Sequence, residues 1–226
     1  MNFKTFMENR EPILEDSDYL IESRPSNGDV IDPKEIYSLV KSSGQTPTII
    51  GGHAFNVLAR TKRSTQDVDL LTSNPEKAAK AILKSKPEWH LDDRSHKYQQ
   101  RILNNQEEEV VDILSYDAIK AWSEAKKGST LRSGYRIPNL ETFIGMKWAS
   151  YSNPERSYEG KIRDESDMKT LLWQNMEMWA PASHATKNAR QKLFNAIDKA
   201  SGVGVDVMDF DSMFRSIEKD YLKKRT

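Results

Sequence analysis

Cysteine is absent from the 226-residue sequence, which excludes disulfides and thiolate metal sites. That fits a cytoplasmic setting. No apolar run approaches the roughly 20 residues of a membrane-spanning helix, so no membrane partner is expected. The opening MNFKTFMENREPILEDSD lacks the apolar core of a secretion signal. Net charge is missing too, because 34 basic residues balance 34 acidic ones. The chain therefore has no global basic field with which to wrap nucleic acid, although a local patch remains open. Internal repeats and low-complexity tracts are absent. Hydrophobic residues make up only 37% of the chain and charged ones 30%. This composition reads as one sizeable core or two small ones, with much surface helix.

Residues 1–30 are polar and broken by Pro12, Pro25 and Gly28, which predicts an N-terminal arm. Asp32-Pro33 and Asn74-Pro75 each read as an N-cap followed by proline at the first helical position. They predict helices over Pro33–Ser42 and Glu76–Lys84. Trp89–Asp92, Lys97–Leu103 and Glu109–Leu114 read as strands, with a turn at Asn104-Asn105. Helix is expected over Tyr116–Lys126, a loop at Lys127-Gly128-Ser129 and an extended segment at Tyr135–Pro138. From Leu140 onward the pattern is helical: Leu140–Tyr151, Tyr158–Met178, Ser183–Ala200 and Asp209–Leu222. The shift near residue 138 predicts an α/β core over 31–138 and a helical part over 139–226.

The chain is organised around Thr48–Ser73. The apolar run Thr48-Ile49-Ile50 stops at Gly51-Gly52, and a helix over His53–Arg60 follows. After a polar turn comes the alternating strand Asp67-Val68-Asp69-Leu70-Leu71. Glycines let backbone approach a phosphate closely, and a helix start offers free N–H groups. Residues i and i+2 of a strand share a face, so Asp67 and Asp69 project together. Asp112 is the one carboxylate in Val110–Leu114. Carboxylates inside apolar strands are costly unless paired, and two Mg2+ ions would relieve that cost. One ion would orient a triphosphate; the other would lower the pKa of an acceptor hydroxyl, with Asp112 assisting its deprotonation. The bland alternative is strand-end aspartates that face solvent or cap turns. Glu107-Glu108-Glu109 reads as a solvated turn. The remaining histidines, His90, His96 and His184, show no metal spacing, and the tryptophans read as packing.

Gly51-Gly52-His53-Ala54 followed by Arg63-Ser64-Thr65-Gln66-Asp67-Val68-Asp69-Leu70 resembles the DNA polymerase beta-like nucleotidyltransferase superfamily. The Arg-x-Thr-x-Asp-apolar-Asp form is similar to its abortive-infection (AbiEii-like) group, which includes toxins of toxin–antitoxin pairs. Ala59 departs from the pattern, since related sequences often carry glycine there. The resemblance implies a mixed sheet flanked by helices, with a C-terminal helical part forming the far wall of a cleft. It implies that Gly51 and Gly52 cradle the phosphates of a nucleoside triphosphate. Asp67, Asp69 and Asp112 would bind magnesium. Arg63 would contact a phosphate or pair with a nearby acid, and Ser64 and Thr65 would sit beside the nucleotide or shape the turn. His53 would touch a phosphate or make a local polar contact.

Phe143–Ser150 and Lys161–Met168 resemble the family's lysine-bearing helix and its later Arg-Asp-x-x-Asp helix. Lys147 would reach the triphosphate or snorkel from an apolar face. Asp164 and Asp167 would orient Lys147, reach the substrate, or lie on a solvated face paired to Lys161 and Arg163. The implied reaction moves a nucleoside monophosphate from NTP to an acceptor hydroxyl with release of pyrophosphate. Implied acceptors are tRNA or other RNA, proteins and antibiotics such as aminoglycosides, and an antitoxin is a further implied partner. A non-catalytic module that binds a partner is the reading from another class.

Overall fold

The computed structural model describes residues 31–179, 184–201 and 207–224. The arm expected over 1–30 lies outside them. Helix α1 (Pro33–Ser42) starts where Asp32 caps it, accepting from the Lys34 N–H at 2.8 Å, and it buries Ile36, Tyr37 and Val40. Strand β1 (Thr48–Ile49) leads into α2 (Gly51–Ala59), so the two glycines form the first turn of the helix. The chain leaves α2 through Arg60 in the left-handed region, at φ 52°. The tight turn thus falls one residue after Ala59, where the helix can tolerate alanine. Strand β2 (Val68–Thr72) follows, and Asp67 precedes it by one residue.

Helix α3 (Pro75–Ser85) begins at an Asn74 cap. Strands β3 (His90–Leu91), β4 (Gln99–Leu103) and β5 (Glu109–Ser115) complete a five-stranded sheet of order β1-β2-β5-β4-β3. Strands β2 and β5 run parallel, and the other pairs are antiparallel. A parallel pair needs a long crossover, which α3 and the β3–β4 hairpin supply. The β4–β5 connection is wider than the expected Asn104-Asn105 turn. The Asn104 side chain accepts from the N–H groups of Gln106 and Glu108, and Glu107 takes φ 62°.

Helix α4 (Lys120–Lys127) starts later than the sequence suggests. Tyr116 is drawn back to the sheet instead. Its hydroxyl donates to the Thr46 carbonyl at 3.1 Å and lies 2.6 Å from the Thr48 hydroxyl. Strand β6 (Ser129–Arg132), absent from the sequence reading, pairs with β7 (Tyr135–Pro138), the extended segment expected there. β6 is mostly exposed, so it carries no apolar alternation to announce it.

The helical part comprises α5 (Leu140–Tyr151), α6 (Tyr158–Gln174), α7 (Met176–Trp179), α8 (His184–Ser201) and α9 (Val207–Lys223). The expected helix over Tyr158–Met178 breaks at Asn175, whose side-chain amide donates to the Leu171 carbonyl. Helices α5 and α8 cross closely at Gly145, where a Cβ would lie 2.9 Å from the Ala196 carbonyl oxygen. One buried cluster joins Ile49, Val68 and Val111 of the sheet to Phe143, Met168, Trp179 and Phe214 of the helices. Trp148, Phe194, Phe210 and Phe214 pack edge to face within it, at centroid separations of 5.3 to 5.6 Å. This shared packing holds the helices against the sheet and fixes the cleft between them. Among the described residues, no helix is long and apolar enough to cross a membrane.

Candidate active site

Asp69 and Asp112 are register partners on the parallel strands β2 and β5. Register partners leave the same face, and adjacent strands lie about 4.8 Å apart, so the two carboxylates stand side by side. Asp67 shares the cleft with them, a volume of about 840 Å3. Gly51, Gly52, Arg63, Ser64, Thr65 and Lys147 line it as well.

Gly51 is required twice over. Its φ of 58° favours glycine, and a Cβ there would overlap Asp69 Oδ2 and lie 2.7 Å from Asp69 Cγ. A Cβ on Gly52 would overlap the Thr65 methyl. The glycines thus let the start of α2 sit directly against the carboxylate and the loop that precedes it. That loop is tied from behind. Asn56 is buried, donates to the Arg63 carbonyl at 2.7 Å and accepts from the Arg63 N–H at 3.1 Å.

His53 is also buried and does not line the cleft. Its Nε2 lies 2.9 Å from the Thr65 hydroxyl, and its ring bonds the Asp67 backbone. Burial pushes its pKa down to about 4, against the pull of that backbone bond. Of the two contacts open to His53 on the sequence, the structure shows the local polar one. A neutral ring holds the loop that carries Thr65 and Asp67.

Lys147 reaches across from α5 and is nearly buried. Its Nζ lies 2.8 Å from Asp164 Oδ1 and 2.9 Å from Asp167 Oδ2. Arg63 pairs with Asp167 and stacks over Phe55, its guanidinium 4.6 Å from the ring centroid. Ser150 and Arg156 both donate to Asp164 Oδ2, at 2.8 and 3.1 Å. Both aspartates are only 1% exposed. This corrects one expectation. Asp164 and Asp167 do not lie on a solvated face paired to Lys161 and Arg163. They hold Lys147 and Arg63 in place. Buried carboxylates need such partners, since breaking a buried pair strands an uncompensated charge.

The opposite wall is poorly compensated. Burial raises the pKa of Asp69 well above the usual carboxylate range, and the charges of Asp67 and Asp112 add to it. Asp67 is raised mainly by burial, against a backbone hydrogen bond and the charge of Arg163. Asp112 is pushed up to about 6 by burial, although Gln99 Nε2 donates to both its oxygens at 2.9 Å. Oxygen donors with unneutralised charge suit a hard divalent cation. Among the described residues, however, no three acidic or histidine side chains already converge as metal ligands. Asp112 is turned toward Gln99 instead.

Four contributors escape the sequence reading. Glu109, expected in a solvated turn, lines the cleft, and burial with the charges of Asp112 and Asp67 pushes its pKa up to about 7. The β4–β5 register slips between Ile102 and Leu103, so Leu103 pairs with Glu109 and Val110 is buried. Such a bulge re-aims a side chain, and no periodicity signals it. Gln99 and Arg101 enter because β4 lies beside β5, with Arg101 the register partner of Asp112. Arg156 comes from the turn between α5 and α6.

No family model matches the chain, and no curated protein matches it. Solved structures do. The Megavirus polyadenylate synthase is 15% identical with a TM-score of 0.50, over 67% of this chain and 32% of its own. This chain thus spans about a third of that enzyme. An antigenic nucleotidyltransferase-like protein from Paracoccidioides brasiliensis is 16% identical, TM-score 0.46, over 80% of this chain and 89% of its own. The antibiotic-resistance factor ANT(2'')-Ia is 14% identical, TM-score 0.46, over 84% and 97%. The strand order, the glycine-started helix beside Asp69 and the likeness to the viral enzyme identify the architecture as a nucleotidyltransferase fold.

Proposed function

We propose that the protein is a magnesium-dependent nucleotidyltransferase. The observation that carries this reading is the side-by-side Asp69–Asp112 pair, under-neutralised by the protein and packed against the Gly51 turn. The acceptor hydroxyl oxygen forms a bond to the α-phosphorus of NTP. The bond from that phosphorus to the bridging oxygen breaks, and pyrophosphate leaves as the hydroxyl loses its proton. Asp67, Asp69 and Asp112 would hold Mg2+, which would supply charge neutralisation and hydroxyl activation. Gly51 and Gly52 admit the phosphates beside the start of α2. Lys147, set by Asp164 and Asp167, faces them as a fixed positive charge.

The acceptor we favour is an RNA end such as that of tRNA. The arginines of the cleft support an anionic acceptor, and the Arg-x-Thr-x-Asp-apolar-Asp form favours a toxin-like enzyme with a cognate antitoxin. The test is incubation with each labelled NTP, Mg2+ and total RNA. Wild-type protein should transfer label or release pyrophosphate, and Asp69→Asn and Asp112→Asn should reduce this by at least 100-fold. Turnover by Asp67→Ala and Asp69→Ala equal to wild type would sink the proposal.

A further inference from the structure

Arg101 differs from three other cations of the cleft. Lys147, Arg63 and Arg156 are bound at close range to Asp164 or Asp167. Arg101 is held loosely. Its Nε lies 3.6 Å from Glu109 Oε2, too far for a hydrogen bond, and that N–H has no acceptor among the described residues. An unmet buried donor costs free energy, so the guanidinium is not in a saturated site. The side chain is 28% exposed and lines the cleft.

Its place in the sheet gives this meaning. The order β1-β2-β5-β4 sets the Gly51 turn, Asp69, Asp112 and Arg101 in one row. With roughly 5 Å between strands, Arg101 lies about 10 Å beyond Asp69, on the far side of Asp112 from the glycines. If the donor phosphates lie at Gly51 and Gly52, Arg101 stands on the acceptor side. Its counter-ion there is Glu109, brought in by the bulge in β5.

We propose that Arg101 is the acceptor-side phosphate contact: its guanidinium leaves Glu109 to grip the phosphodiester next to the attacking 3′ hydroxyl of an RNA strand. This rests on the nucleotidyltransferase reading above. A guanidinium suits the role because its planar fork matches two phosphate oxygens at once. Glu109 then works as a gatekeeper that an anion must displace. It selects against acceptors with no phosphate to offer in exchange.

The test measures two bindings separately, by anisotropy of 5′-fluorescein-labelled hexaadenylate and by calorimetry of a non-hydrolysable NTP with Mg2+. Arg101→Gln should weaken the oligonucleotide about tenfold and leave the nucleotide unchanged. The slope of log affinity against log salt should become shallower by about 0.7, one single-strand phosphate contact. Arg101→Lys should keep the slope and lose part of the affinity. Glu109→Gln should tighten oligonucleotide binding, a gain that misfolding cannot imitate. Unchanged affinity and slope in Arg101→Gln, equal losses for both ligands, or no oligonucleotide binding by wild type would overturn the assignment. So would tighter binding of an aminoglycoside that Glu109→Gln abolishes. Absence of Mg2+-dependent nucleotide binding in wild type would instead sink the enzymatic reading, and the oligonucleotide data would still report on Arg101.

Discussion

The contact between Gly51 and Asp69 makes a prediction that needs no substrate. In Gly51→Ala, an alanine must take φ 58°, and its methyl must enter space held by Asp69 Oδ2. The left-handed backbone costs about 1–2 kcal/mol. Pushing the Asp69 carboxylate off its rotamer adds about 0.5–1.5 kcal/mol. The total, roughly 1.5–3.5 kcal/mol, should lower Tm by about 3–14 °C in a chain of this size. The two parts separate in a double-mutant cycle. In an Asp69→Ala background the carboxylate is gone, and only Asp69 Cβ, 3.0 Å from the new methyl, remains. Gly51→Ala should then cost only the backbone part, leaving a coupling energy of about 1 kcal/mol. Asp69→Ala alone should stabilise the metal-free protein at pH 8, because it removes a carboxylate that burial and its neighbours disfavour. Urea unfolding of the four proteins at pH 8 without metal gives the free energies, and thermal scans give Tm. Strict additivity of the two substitutions, or a wild-type Tm for Gly51→Ala, would refute the geometry.

The same cluster sets a pH dependence. Asp112 and Glu109 are raised to about 6 and about 7, so the folded protein keeps protons that the unfolded chain releases. The contribution of these two groups should therefore be full below about pH 4 and be lost as pH rises through 6 to 7. Calorimetric scans at constant ionic strength should show this fall, should show it flattened in Asp112→Asn/Glu109→Gln, and should show Mg2+ restoring stability at pH 8; a profile flat from pH 5 to 8 in wild type would contradict it. Lys147→Met removes one partner from each of two buried carboxylates. Asp164 keeps Arg156 and Ser150, and Asp167 keeps Arg63, so the cost should sit near the low end for a broken buried pair, about 3 kcal/mol. A Tm within 2 °C of wild type would show that the lysine is not what holds them.

Most of the element order was legible because local chemistry wrote it. The Asp32-Pro33 and Asn74-Pro75 caps start helices where they should, alternation finds β2, and an apolar run finds β5. The carboxylates Asp69 and Asp112 stand out for the same reason, as polar residues in apolar strands. What was hidden depends on register. Glu109 has the parity of Val111 and Ile113, so alternation assigns it to the face opposite Asp112, and only a slip against Leu103 turns it into the cleft. Gln99 and Arg101 become site residues through a neighbour distant in sequence. His53 stands beside two glycines, where a phosphate contact and a local polar contact are equally open. Its burial under the Thr65 loop is a tertiary fact that its own neighbours do not encode.

The ion network around Lys147 has an effect beyond holding the helices. On the side built by α5, α6 and the Arg63 loop, the cations Lys147, Arg63, Arg156 and Arg163 outnumber the carboxylates Asp164 and Asp167. On the sheet side, Asp67, Asp69, Glu109 and Asp112 outnumber Arg101. The cleft is thus polarised from wall to wall, like the gap of a charged capacitor. A guest carrying a cation at one end and anions at the other, such as a metal-bound triphosphate, would be aligned by this field before any single contact closed.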